Sequence, residues 1–158
     1  MRNKQKGFSL IELLIVVAII LIIAAIAIPN LLRSKMAANQ ASAVASLRTL
    51  NTSSVLFYTN YGIYPSALSN LGPVGSSGTV SSTLADMIDS TLASANAAPG
   101  KSGYVFTWAG GGTSGAYTIA ADPVSTSTGQ IHYFTDQSLV IRSNPAGAAT
   151  AANNPIGN

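Results

Sequence analysis

The pattern of apolar and polar positions divides the chain into three stretches with different periods. Residues 13–28 contain no charged or classical polar side chain, and Glu12 lies directly before them. With the residues in front of Glu12, the apolar span covers residues 8–28, which measure about 31 Å as a helix. A helix that is apolar on every face is typically buried on all sides, and this one has only Ser9 and Glu12 as exceptions.

The second stretch is amphipathic and follows Pro29. At about 100° per residue, one broad helical face would carry Met36, Ala43, Val44, Leu47, Leu50, Val55 and Phe57. The opposite face would carry Ser42, Ser46, Thr49, Thr52 and Ser53. The pattern predicts one helix from near Phe8 to about Tyr58, roughly 75 Å long, in which residues 8–29 are hydrophobic and residues 30–58 pack on a sheet.

The third stretch contains short segments of alternating polarity that predict strands at residues 104–109, 116–122, 130–135 and 139–142. Residues 110–112 are all glycine, and we interpret them as a hairpin turn because neither a helix nor a lysine follows. The predicted product is a three- or four-stranded antiparallel meander with one face covered by the helix. The predicted fold class is therefore α+β: a long N-terminal helix packed on a small antiparallel β-meander sheet.

The remaining segments are assigned from turn signals and composition. Residues 59–145 are predicted to form a globular head, which begins with a connecting region at residues 59–103. Within that region, residues 81–92 carry apolar side chains at helical spacing and predict a short helix. The tail, residues 146–158, is mostly Ala, Asn and Gly and buries too little to order itself. We expect a flexible tail or, alternatively, a strip laid over the head.

Charge is scarce and unevenly placed. Only 8% of residues are charged, against about 25% in ordinary globular domains. The net charge of +3 comes from Arg2, Lys4 and Lys6, since the remaining basic and acidic side chains balance. The basic balance therefore indicates a targeting signal, and no nucleic-acid surface is predicted. Because the chain has no cysteine, a disulfide framework and a thiolate metal site are excluded.

Three interpretations compete for the N-terminal segment. An ordinary secretory signal peptide would be cut near Ala27, but its apolar region is usually shorter than this one. A plain single-pass anchor, with its basic leader in the cytoplasm, explains the length but leaves Glu12 unexplained. A carboxylate in such a helix costs about 2.5–3.5 kcal/mol near the bilayer centre. A chain keeps that group when something outside the helix satisfies it.

The third interpretation is a family resemblance. The run GFSLIELLIVVAIILIIAAIAIPN, residues 7–30, resembles the N-terminus of type IV prepilins and of the related type II secretion pseudopilins. The resemblance implies that residues 1–7 are a leader, that a membrane peptidase cuts between Gly7 and Phe8, and that Phe8 is then N-methylated. It also implies a pilin-type head on a long helix. The chain departs from many members of the family by having Leu21 in place of a glycine and by lacking the cysteine pair.

The resemblance assigns assembly to Glu12 and Phe8. The new amine of Phe8 is positive, and Glu12 of a neighbouring subunit is negative, so pairing removes two uncompensated charges from a low-dielectric environment. Pro29 corresponds to the helix proline of the family and lacks an amide hydrogen, so it kinks or loosens the helix. One alternative is a helix end at Pro29, and the other is a continuous helix that unwinds locally in the filament.

Other candidate sites point to packing rather than chemistry. The single histidine, His132, lies in a strand pattern with Asp136 as the nearest carboxylate in sequence, and we interpret it as a satisfied sheet residue. Asp86 and Asp89 would share one face of the predicted short helix, but calcium needs six to eight oxygens. Asn51 begins a glycosylation sequon that we attribute to chance. No catalytic residue, cofactor or metal ligand is predicted.

The sequence therefore predicts the structural subunit of a type IV pilus for attachment or motility. The alternative is a pseudopilin that builds a short periplasmic fibre for type II secretion, and a third class is a monomeric membrane-anchored binding module. The implied partners are copies of the chain, a prepilin peptidase and methylase, and an inner-membrane assembly platform with its ATPase. The precursor is expected in inner-membrane lipid and the product in a surface pilus or a periplasmic pseudopilus.

Overall fold

The computed structural model describes residues 8–76, 78–113 and 115–157. The chain divides into two compact units, with the boundary between Lys35 and Met36. One helix, α1, spans Leu10–Tyr61 and contributes to both units. It begins two residues after the predicted start at Phe8 and ends three residues after the predicted end at Tyr58, so the sequence pattern located it closely.

Helix α1 is continuous through Pro29. Proline has no amide hydrogen, so the hydrogen bond to the carbonyl of Ala25 is absent at this position. The residues on both sides remain helical, and the alternative in which the helix ends at Pro29 is therefore wrong. Ser34, one turn further on, donates its hydroxyl to the Asn30 carbonyl at 3.0 Å.

The part of α1 in the second unit packs against the head through a stripe that is only partly apolar. Its buried residues are Ala43, Ser46, Leu47, Leu50, Asn51, Ser53, Ser54 and Phe57. The prediction was wrong for Val55, which is 40% exposed, and for Ser46 and Ser53, which are buried. Small hydroxyls can be buried when they have an acceptor. Ser54 Oγ donates to the Leu50 carbonyl one turn earlier at 2.6 Å, and Ser53 Oγ donates to the Met87 carbonyl at 3.3 Å.

The sheet is a four-stranded antiparallel meander in the order β1-β2-β3-β4. Its strands are β1 Tyr104–Gly110, β2 Tyr117–Pro123, β3 His132–Asp136 and β4 Arg142–Asn144. The predicted α+β fold class, a long helix with an antiparallel meander, is confirmed.

The connection between β1 and β2 is a glycine turn, as interpreted from the sequence. Gly111 has φ +86°, and a Cβ at this position would overlap the carbonyl oxygen of Pro65. The next glycine, Gly112, donates its amide to the Tyr64 carbonyl at 2.8 Å. The turn therefore needs glycine because the chain that leaves α1 lies directly against it.

The predicted fourth strand is displaced toward the C-terminus. We expected residues 139–142, but β4 is Arg142–Asn144. Leu139 has φ +65°, which is incompatible with a strand. Its amide bonds to the Asp136 carbonyl at 2.9 Å, and the Asp136 carboxylate accepts from the Ser138 amide at 2.8 Å. The turn after β3 is therefore longer than its sequence indicates.

The core lies between the sheet and the second part of α1. Alternate strand residues are buried there, among them Tyr104, Phe106, Tyr117, Ile119, Ala121 and Tyr133. Trp108 stacks on Tyr117 with ring centroids 4.8 Å apart and an interplanar angle of 8°. Burial raises the pKa of Tyr104 to about 12, and its hydroxyl donates to the Ile131 carbonyl at 2.9 Å. This is an ordinary aliphatic and aromatic core.

The predicted short helix at residues 81–92 is wrong over most of its length. The observed elements are a 3-10 helix at Leu68–Leu71 and helix α2 at Ser90–Ala93. Asp86 has φ +53°, and the amides of Ala85, Asp86 and Met87 donate to carbonyls of residues 70–72. These amides therefore lack the intrahelical acceptors that an α-helix requires.

The C-terminal tail lies along β4. The amide of Ile156 donates to the Ile141 carbonyl at 2.9 Å, and the amide of Ser143 donates to the Asn154 carbonyl at 3.1 Å. Arg142 Nη1 donates to the Asn153 carbonyl at 2.8 Å. Of the two alternatives for residues 146–158, these contacts match the strip laid over the head rather than the flexible tail.

Candidate assembly and processing site

The start of α1 places Glu12 in a specific local arrangement. The carbonyl of Ser9 accepts the first intrahelical bond, from the Leu13 amide at 3.2 Å, which makes Ser9 the N-cap residue. Glu12 Oε2 accepts a hydrogen bond from the Ser9 amide at 2.9 Å. This contact is one half of a capping box, in which a glutamate three residues after the cap satisfies the cap amide. The positive end of the helix dipole also favours a carboxylate here.

The side chains around Glu12 are apolar and exposed. Phe8 is 80% exposed, and Leu10, Ile11 and Leu13 each expose more than half of their surface. Among the described residues, Glu12 accepts only the bond from Ser9, and none of them donates to Oε1. The carboxylate is therefore held by its own helix start through one oxygen and keeps the other available.

The exposed apolar surface continues along the first unit. All large apolar residues of α1 from Leu10 to Leu32 are exposed. Within this run, only Ala24 has intermediate burial. In the part of the chain that the structure describes, α1 is the one helix long and apolar enough to cross a membrane. A lipid bilayer or other copies of the chain could cover this surface, since the described chain itself leaves it bare.

The structure describes three of the four predicted site residues. Phe8, Glu12 and Pro29 lie in the first unit, with Phe8 directly before the capped start of α1 and Pro29 inside the helix. Gly7, and with it the predicted cleavage point and the leader, lies outside the described residues. The roles of Gly7, Phe8, Glu12 and Pro29 remain predictions.

The other polar candidates have local structural roles. His132 Nδ1 lies 2.6 Å from Asp122 Oδ1, so its carboxylate partner comes from the neighbouring strand and not from Asp136. Asp89 caps α2 by accepting from the Leu92 amide at 2.9 Å and pairs with Lys101 at 2.9 Å. The hydrogen bond from Lys101 lowers the pKa of Asp89, while its partial burial opposes that shift.

Asp86 and Asp89 do not share a helix face, because Asp86 lies outside any helix with a positive φ. Within the described residues, no group of three His, Cys, Asp or Glu side chains could hold a metal ion.

Sequence reasoning missed a buried polar contact between α1 and the sheet. Asn51 Nδ2 donates to Thr135 Oγ1 at 3.0 Å and to the Leu139 carbonyl at 3.2 Å. Thr135 Oγ1 in turn lies 3.3 Å from Asn51 Oδ1. Asn51 is buried, which supports the interpretation of its sequon as chance. The only sequence signal was an asparagine beside the apolar stripe, which is too weak to identify a partner 84 residues away.

The N-terminal segment matches a known sequence motif. Residues 2–28 match the family model described as the prokaryotic N-terminal methylation motif. Over 69 residues, the chain is 41% identical to the type IV major pilin protein PilA of Myxococcus xanthus, which covers 44% of this chain and 31% of that protein. Over 47 residues, it is 60% identical to the type IV wide pilus major component PilA4 of Thermus thermophilus, covering 30% and 35% of the two chains.

A secretion-system protein is also similar to a part of the chain. The type II secretion system core protein G of Vibrio cholerae is 36% identical over 63 residues, which cover 40% of this chain and 43% of that protein. The chain thus spans less than half of the length of each of these relatives. No solved structure matches the chain. The matches confirm the predicted resemblance to the type IV pilin and type II secretion pseudopilin superfamily.

Proposed function

We propose that this chain is the structural subunit of a helical homopolymer, a type IV pilus used for surface attachment or motility. The observation that carries the proposal is the start of α1, where one self-capped carboxylate stands in a long exposed apolar surface. The similarity of part of the chain to two type IV pilins supports the same function. No enzymatic activity and no cofactor are part of the proposal.

Processing creates the charge that Glu12 needs. A prepilin peptidase cuts between Gly7 and Phe8, a methylase modifies Phe8, and the new amine carries a positive charge. Glu12 of one subunit then pairs with the Phe8 amine of another, which removes two uncompensated charges from a low-dielectric environment. Because Oε2 already bonds to the Ser9 amide, Oε1 is the oxygen that can accept the neighbouring amine without breaking the cap.

The charge pair gives direction to a transfer that is otherwise nearly neutral. Lipid tails are about as apolar as leucine, so moving the exposed surface of α1 from the inner membrane into a filament gains little hydrophobic energy. An assembly platform and a cytoplasmic ATPase would supply the work. Pro29 contributes a point where the helix loosens within the filament, since its missing hydrogen bond lowers the cost of unwinding.

The second candidate is a pseudopilin of a type II secretion system, favoured by the similarity to core protein G. Both functions use the same α1 surface, so the product distinguishes them. Electron microscopy of sheared cell-surface fractions is the appropriate measurement. Long fibres that contain this chain support a pilus, and a short periplasmic fibre supports a pseudopilus.

The intact mass of the native protein tests the processing pathway. We expect the loss of residues 1–7 and the addition of one methyl group. A chain with a bulky residue at Gly7, such as Gly7→Val, is the matched control and should keep its leader. Retention of Met1 in the wild type, or cleavage near Ala27, would contradict the proposal.

A monomeric membrane-anchored binding module makes the opposite prediction. In that case, substitutions of Gly7 and Glu12 should be tolerated, and the chain should remain monomeric in detergent and membrane. Crosslinking of the native protein in membranes distinguishes the two, because a pool of subunits competent for assembly yields dimers and higher species.

A further inference from the structure

Two cationic side chains stand at the outer end of the apolar span. Arg33 and Lys35 are exposed, and neither takes part in a hydrogen bond or an ion pair with any residue the structure describes. No other charged residue lies between Glu12 and Arg33. Both belong to the first unit, which ends at Lys35. Any partner of these two side chains therefore comes from outside the described residues.

The helical rise places both side chains at headgroup level when residues 8–28 fill a bilayer core of about 30 Å. At 1.5 Å per residue, the Cα of Arg33 lies about 7.5 Å beyond Ile28, and that of Lys35 lies about 10 Å beyond it. Leu31 and Leu32 are 69% and 50% exposed. Burial of these two leucines in the hydrocarbon core would place α1 slightly deeper in the membrane. The polar layer on each side of the core is roughly 5–8 Å thick.

The direction of helical side chains brings the charges closer to that layer. Every Cα–Cβ bond in an α-helix tilts toward the N-terminus, and the N-terminus of α1 would be on the cytoplasmic side. The long stems of Arg33 and Lys35 therefore lean back toward the membrane and can cover the apolar helix with their methylene groups. The two residues lie about 200° apart around the axis, so they reach lipids on opposite sides of the helix.

We propose that Arg33 and Lys35 bind the phosphate groups of outer-leaflet lipids while the subunit waits in the membrane. The inference rests on the proposed function, in which α1 is a membrane anchor before assembly. An arginine guanidinium matches a phosphate with two parallel hydrogen bonds, and a lysine ammonium binds it as a point charge. After removal of Arg2, Lys4 and Lys6, these two are the only basic side chains left in residues 8–35.

This contact fixes the depth of Glu12. Glu12 precedes Arg33 by 21 residues, which corresponds to about 31 Å along the helix. With Arg33 held at the outer phosphates, Glu12 lies about 6 Å inside the inner edge of the hydrocarbon core, where a carboxylate costs less than at the centre. All waiting subunits then present Glu12 at one depth, and the Phe8 amine of a neighbour lies about 6 Å nearer the cytoplasm. Pairing of the two groups therefore requires an axial step of about that size between subunits.

The test uses the processed full chain, residues 8–158, in phosphatidylethanolamine and phosphatidylglycerol vesicles and a phosphate-free buffer. Solid-state NMR measures the dephasing of ¹⁵N-labelled arginine or lysine side chains by lipid ³¹P. We expect a dephased guanidinium signal that R33Q loses and R48Q retains, since Arg48 lies about 22 Å further along α1. For lysine, the dephased signal should disappear in K35Q, while Lys101, paired with Asp89, shows none.

The outcomes separate this inference from the proposed function. In the same NMR experiment, magnetisation transfer from the lipid acyl chains to the isoleucine side chains of α1 reports insertion. Its absence would contradict the membrane anchor itself. Insertion without dephasing, or dephasing that persists in R33Q, would overturn the inference alone. In dodecyl maltoside with added inorganic phosphate, dephasing of Arg33 would assign the contact to free phosphate and also overturn it.

Discussion

The two units of this chain share one helix but use it in opposite ways. In the second unit, α1 buries Leu47, Leu50 and Phe57 completely or nearly so against the sheet. In the first unit, the same helix is more apolar, yet its large side chains remain exposed. Hydrophobicity alone therefore does not tell where the core of a subunit lies. No described residue covers the apolar side chains of the first unit, and this is the physical reason to expect a partner outside the chain.

The comparison also separates two kinds of polar residue. Asn51 and Thr135 are buried in the head and satisfy each other, so they contribute to the fold of one subunit. Glu12 has one bond within its own helix and stands in an apolar surface that other molecules cover in the proposed function. Changes in the second unit should therefore alter the stability of the head, whereas changes in the first should alter assembly.

The largest effect is expected for Glu12. We predict that Glu12→Ala and Glu12→Gln abolish or severely impair filament formation, because the neighbouring Phe8 amine loses its counter-charge. Membrane insertion and folding of the head should be unchanged. The measurement is the amount of the chain in sheared surface fractions compared with the amount in membranes. Wild-type levels of filament from Glu12→Ala would defeat the mechanism.

A substitution in the packed half of α1 should destabilise the head. Leu50 is fully buried, and Leu50→Ala is expected to lower the free energy of unfolding by about 2–5 kcal/mol through lost burial and a cavity. Denaturant unfolding of the full chain in detergent, followed by the fluorescence of Trp108, gives the value. Leu21→Ala, in the exposed half, is the matched control and should leave this transition in place. Equal losses from both variants would remove the distinction between the units.

The buried contact of Asn51 should contribute less than Leu50. Asn51→Leu leaves the hydroxyl of Thr135 buried without its side-chain partner, which costs about 1–3 kcal/mol. The double variant Asn51→Leu with Thr135→Val removes both polar groups and should recover part of that loss. The same unfolding measurement tests the pair. A double variant whose loss of stability equals the sum of the two single losses would show that the two residues do not act together.

The smallest effect is expected at the surface of the head. Lys101 lowers the pKa of Asp89 below its ordinary value of 3.8, so the pair stabilises the fold at higher pH and loses its contribution as pH falls through the folded pKa. Because Asp89 is largely exposed, Lys101→Gln should cost only a few tenths of a kcal/mol. Thermal unfolding at neutral pH should show this difference, and it should vanish once the pH falls below the folded pKa of Asp89. A difference that grows in acid would assign the effect to another group.

The sequence predicted the elements whose signals are local. The apolar span, the motif around Phe8 and Glu12, and the alternating strands each lie within a few residues of one another, and the confirmed fold class follows from them. The capping contact of Glu12 was also readable in principle, since Ser9 and Glu12 have capping-box spacing. What the sequence could not identify is the position of a neighbouring copy in the proposed filament.

The errors occurred where tertiary contacts override local preference. Residues 81–92 have helical spacing, but their amides bond to the carbonyls of residues 70–72, and this arrangement holds Asp86 at a positive φ. Leu139 was assigned to a strand although its backbone belongs to the preceding turn. Ser46 and Ser53 were placed on the solvent face because hydropathy does not register that a small hydroxyl can be buried. Ser53 is buried with its hydroxyl bonded to the Met87 carbonyl.

In the proposed function, the bond between the Ser9 amide and Glu12 also bears on the disassembly of a filament. A subunit that leaves a neighbour loses one counter-ion, but its carboxylate keeps a donor supplied by the same chain. Retraction then needs no covalent change, and the Glu12 carboxylate keeps one hydrogen bond. Each molecule can return to a reserve in the lipid and enter a new fibre, so a single round of synthesis would serve many cycles of extension.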